Sequence, residues 1–146
     1  MCEMYKIAIL FALIIGSTNC GNLTPKSKAL QKPDDLFEFT GFCDHERRQY
    51  VELFIQCERE MMPKTYSIDN ACYKEIYNVL NRIDFGAPSS IALVCKSGEM
   101  QWREFDQCFD ERSRLYPIEF VNTEEFWRKI LPCIDERKKI FDYIVD

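Results

Sequence analysis

The sequence predicts an all-α fold: a small helical bundle stapled by disulfides, with two tandem helix-pair pseudo-repeats. Three observations carry that expectation. Apolar residues recur at spacings of three and four along most of the chain beyond residue 40. Six of the 8 cysteines remain once a leader-like N-terminus is set aside. The cysteine-bearing segments of the first half are echoed in the second. No apolar/polar alternation runs long enough to read as a strand.

The chain opens with "MCEMYKIAILFALIIGSTNC", residues 1–20, which has the layout of a secretory signal peptide. Lys6 supplies the basic start, and the apolar run from Ile7 to Gly16 is too short to span a bilayer. Cleavage after Cys20 would leave small residues, Thr18 and Cys20, at the two positions that matter. The expectation is a secreted, extracellular protein with no stable membrane anchor. Residues 21–41 read as a flexible N-terminal arm that docks, if at all, through Leu36, Phe37 and Phe39. Asn22 heads an N-glycosylation sequon weakened by Pro25. Residues 42–146 form the helical disulfide-rich domain.

Within that domain, "DHERRQYVELFIQCEREMM" (44–62) sets Tyr50, Leu53 or Phe54, Cys57 and Met61 along one stripe, and Pro63 ends the run. "SIDNACYKEIYNVLNRI" (67–83) carries Ile68, Cys72, Ile76, Val79, Leu80 and Ile83 at helical spacing, with Ser67 or Asp69 available as N-cap. "PSSIALVCKSG" is a short apolar helix capped by Ser89 and stopped by Gly98. "EMQWREFDQCFDERSRLYP" runs through Trp102, Phe105 and Cys108 to a stop before Pro117. The last segment opens on Asn122 and Glu125 as a capping box and is expected to break or kink at Pro132.

Two blocks repeat in order. "QYVELFIQC" (49–57) matches "QWREFDQC" (101–108) when Leu53 is skipped, and "CYKEIYNVLNRI" (72–83) matches "CIDERKKIFDYI" (133–144) without a gap. Cys43 then answers to Cys95, which gives pseudo-repeats 43–83 and 95–144. Cys43 and Cys57 lie fourteen residues apart on one expected helix. That is about 21 Å, too far for a disulfide. An antiparallel hairpin would bring the end of one helix to the start of the next. The expected bridges are therefore Cys57–Cys72 and Cys108–Cys133 within the halves, with Cys43–Cys95 joining them. Charged runs after the cysteines, such as "CERE" and "CFDER", read as solvated helix faces.

The formal net charge of −5 gives no electrostatic footprint for nucleic acid or an anionic membrane surface. One histidine, His45, would have to serve any Cys-His or Ser-His-Asp arrangement, and its neighbours Asp44 and Glu46 place it on a helix's first turn. No closely spaced Cys or His set suggests a zinc site, and no acidic loop has the calcium pattern, so no catalytic residue, metal or cofactor is expected. Aromatic residues make up 14% of the chain, enough to build a core and to line an apolar pocket between the helix pairs. The candidate lining is Phe54, Met61, Trp102, Phe105 and Phe126. The expected function is non-enzymatic binding, as an effector of the venom, salivary or defence type acting on an extracellular protein or receptor. The alternative is a carrier of small hydrophobic ligands.

Overall fold

The computed structural model describes the backbone of residues 33–79 and 83–145, and the side chains of 35–79 and 83–140. The signal-peptide reading, the first part of the arm and Asn22 lie outside the described residues. Within them the protein is all-helical, with no strand. The helices are α1 (Phe39–Phe42), α2 (Arg48–Met61), α3 (Pro63–Ile76), α4 (Pro88–Ser97), α5 (Glu99–Leu115) and α6 (Thr123–Val145). Single 3-10 turns stand at Pro33–Phe37 and His45–Arg47.

Prolines and left-handed residues set most boundaries. Only Met62, with non-helical backbone angles (φ −136°, ψ 66°), separates α2 from α3, whose first residue is Pro63. Proline suits that first position because its missing N–H would have no partner in the helix. The break turns Met62 into the core, fully buried, and leaves Met61 50% exposed, so Met61 does not continue the apolar stripe of α2. The second helix starts and stops earlier than its periodicity suggests. Ser67 sits inside α3 and donates to the Pro63 carbonyl, so neither it nor Asp69 is the N-cap. At the other end, Asn78 has φ 52° and the Val79 N–H returns to the Lys74 carbonyl, a left-handed closure of the helix. Val79 and Ile83 thus belong to the connector.

Pro88 opens α4, where Ser90 rather than Ser89 makes the terminal bonds: it donates to the Ala87 carbonyl and accepts from the Gly86 N–H. Gly98 stops α4 at φ 94° and α5 starts directly after it. Asn122 accepts from the Glu125 N–H at the head of α6 while Glu125 accepts from the Val121 N–H, a capping box shifted by one residue. No new helix starts at Pro132; α6 runs through it. Pro132 lies on the exposed face, so the Arg128 carbonyl it orphans can turn to water.

Helix α2 packs chiefly on α6, and α3 on α5, while α2 also meets α3 and α4 meets α5. Val51, Ile55, Tyr73, Ile91, Ile130 and Ile134 are fully enclosed where these faces join. From Pro33 onward the arm is docked: Leu36 is buried, and the Phe37 ring lies 5.4 Å from those of Phe126 and Trp127.

Three disulfides bind the helices: Cys43–Cys95, Cys57–Cys133 and Cys72–Cys108. The first is the expected cross-link. The other two replace the expected hairpin bridges, because the bend at Met62 does not bring Cys57 and Cys72 level. Cys57 lies five residues before Met62 and Cys72 ten after it. In an antiparallel pair that difference is an offset of about 7.5 Å along the axes. Cys57 instead meets α6 and Cys72 meets α5. Next to each of these two bridges an arginine of the later helix closes on a glutamate of the earlier one: Arg137 on Glu60 and Arg112 on Glu75. Exchanging Cys43, Cys57 and Cys72 for Cys95, Cys108 and Cys133 carries the three bridges onto themselves. The same exchange swaps the two main helix interfaces, α2 with α6 and α5 with α3.

Candidate functional site

A cavity of about 110 Å³, partly open to solvent, lies between the helix pairs. Its apolar wall is almost wholly aromatic. Phe54 comes from α2, Trp102, Phe105 and Phe109 from α5, and Phe126 from α6. Phe37 and Phe42 close it from the N-terminal segment, Phe85 from the α3–α4 loop, and Phe120 from the α5–α6 connector. The rings fall into two sets of contacts: Phe42 meets Trp102 with centroids at 4.7 Å and Phe105 meets both Trp102 and Phe85, while Phe126 meets Phe120 at 4.9 Å and also Phe37 and Phe54. Four of the five residues expected from sequence, Phe54, Trp102, Phe105 and Phe126, meet here. Met61 does not, since the end of α2 turns it outward.

The connector shapes one side. Glu119 accepts from the Lys64 N–H at 2.6 Å, from the Thr65 N–H at 2.9 Å and from the Thr65 hydroxyl at 2.7 Å. It therefore caps α3 from 54 residues away in sequence, in place of a local N-cap. Partial burial pushes its carboxyl up, but these hydrogen bonds outweigh burial and hold it below the usual glutamate range. Lys129 ties the connector to α6 by donating to the Glu119 carbonyl. Ile118, Phe120 and Thr123 are held against the cavity in consequence.

The unexpected component is acidic. Glu58 of α2, Asp69 of α3 and Asp106 and Asp110 of α5 all line the cavity. Glu58 is only 2% exposed. Burial is the main cause of its raised pKa, and the Asp69 charge adds to it. Asp69 is pushed up to about 7 by burial, against a hydrogen bond from Glu58 that lowers it. Asp106 is likewise raised to about 7, first by burial and then by the charges of Asp69 and Asp110. Glu58 Oε2 receives no N–H or hydroxyl, and the Trp102 indole N–H has no acceptor, among the described residues.

Helical register could have revealed these acids. Glu58 falls four residues after Phe54, and Asp106 four after Trp102, so both continue buried stripes. The reading of the charged runs after the cysteines as solvated faces is corrected accordingly for Glu58 and Asp110, which line the cavity. His45 is far from this chemistry; its side chain is 91% exposed and 3.9 Å from Asp44. Among the described residues, no group of three or more His, Cys, Asp or Glu is arranged to hold a metal ion. No protein-family model, curated protein or solved structure matches the chain.

Proposed function

We propose that the protein is a secreted, non-enzymatic binding protein that carries a small hydrophobic ligand in the cavity between its helix pairs. The observation that carries this reading is the partly open, aromatic-walled cavity at the junction of four helices. Bundles commonly hold ligands between facing helices, and a small apolar pocket with a few polar groups is the usual form of such a site. Three disulfides agree with an oxidising compartment, and a rigid cross-linked frame keeps the walls apart in extracellular fluid. The reading takes the frame to be two copies of one helix-pair unit, which the exchange-symmetric bridges favour.

An effector that docks a protein target is the second reading. It is favoured by Leu115, Tyr116 and Val121, which are 77%, 60% and 86% exposed around the α5–α6 connector. Native mass spectrometry of protein secreted from a eukaryotic host separates the two. A noncovalent excess mass lost on denaturation is expected for the carrier. Loss of binding to an extracellular partner on Tyr116→Ala, with no small-molecule binding, would replace it with the effector.

A further inference from the structure

Inside the aromatic cavity, carboxyl groups from three different helices converge with no cation among the lining residues. Burying carboxylates without a counter-charge is costly, and a fold gains nothing from three of them unless something compensates. Four basic side chains of the packed elements are engaged elsewhere. Lys129 serves Glu119 and Glu125, Arg112 serves Glu75, Arg137 serves Glu60, and Arg59 lies over the Tyr66 ring. The groups facing the acids are other acids: Glu119 and Asp69 face Glu58, and Asp69 and Asp110 face Asp106.

Resting on the carrier reading, we propose that the ligand is a small organic cation: a protonated amine on an apolar body about the size of one ring. Its ammonium would lie against Glu58, Asp69 and Asp106, and its body among Phe54, Trp102 and Phe105. The chemistry is complementary at both ends. Carboxylates pair the charge, and aromatic faces attract an ammonium while burying the hydrocarbon. Independently of the acids, the unpartnered indole N–H of Trp102, a residue only 5% exposed, offers a donor to an oxygen on the ligand. The volume sets an upper bound on the size: about 150 Å³ of apolar cavity holds benzene, and this one, at about 110 Å³ with an open side, takes no body larger than one ring. A metal ion is disfavoured because, among the described residues, these carboxyls are not arranged as a metal-competent cluster.

The test is calorimetry on the disulfide-bonded protein with benzylamine and its neutral isostere benzyl alcohol. At pH 7.5 the amine should bind about tenfold or more tighter than the alcohol, the equivalent of about 1.4 kcal/mol. Binding should release protons between about pH 6 and 7.5, because the cation holds the acids ionised. Amine affinity should drop about tenfold by pH 5 while that of the alcohol stays level. Glu58→Gln and Asp106→Asn should each reduce the preference for the amine. Equal affinity for the two probes, or an amine affinity independent of pH, overturns the cation assignment and leaves the carrier reading standing. If neither probe binds, both readings fall.

Discussion

Two glycines share a backbone conformation and differ in surroundings, which makes them a controlled pair. Gly86 and Gly98 have φ 97° and 94°, a region that L side chains rarely enter. A Cβ on Gly98 would meet nothing within 4 Å, whereas one on Gly86 would stand 2.4 Å from Ile55 Cγ2. Gly98→Ala should therefore cost only the backbone strain, about 1–3 kcal/mol. Gly86→Ala should cost more than Gly98→Ala, because Ile55 is buried and has little room to move. Chemical denaturation of both variants measures the difference, and equal losses would mean that the Ile55 contact relaxes freely. Gly98 was legible as a helix stop from its place after "LVCKS". Gly86 was not, since its constraint comes from a residue 31 positions earlier in the chain.

At the scale of elements, the helices were legible and their ends were less so. Periodicity marks a helix wherever one face is buried, but it continues past the true end when the following loop is also packed, as with Val79 beyond α3. The cap of α3 was not legible because Glu119 reaches it from the far connector. Its loss should be measurable. Glu119→Ala should destabilise by about 1 kcal/mol, the usual worth of an N-cap. Since Glu119 titrates below the usual glutamate range, its contribution is present above the unfolded pKa and is lost as pH falls through the folded one. The gap between wild type and variant should close in acid. A gap that persists at pH 2 would assign the loss to packing of the connector rather than to the charged cap. The same connector bounds the cavity, so the variant should also weaken whatever binds there.

For the whole molecule, the buried acids tilt stability in the opposite direction. Asp69 and Asp106 titrate near 7 when folded, well above their unfolded values, and Glu58 is raised as well. Groups raised in this way contribute stability that is complete below the unfolded pKa and disappears as pH rises through the folded one. Without added ligand, the melting temperature should be highest near pH 5 and fall toward pH 8, and Asp106→Asn should flatten that slope. A melting temperature that rises steadily from pH 5 to 8 would contradict the burial of these groups. The bundle, its aromatic interior and the Cys43–Cys95 bridge were all readable from the sequence. The other two bridges were not, because they depend on which helices lie side by side. Periodicity gives each helix a buried face without naming its neighbour.

That pairing of distant cysteines also bears on survival outside a cell. The spans 43–95, 57–133 and 72–108 overlap so that any peptide bond between Cys43 and Cys133 lies within at least one of them. A protease that cuts the α3–α4 loop and the α5–α6 connector would free the ends of α4 and α5 but release no fragment. That piece stays tied through Cys95 to Cys43 and through Cys108 to Cys72, while Cys57 and Cys133 hold the remainder together. Digestion would register only as the added mass of water until the bridges were reduced.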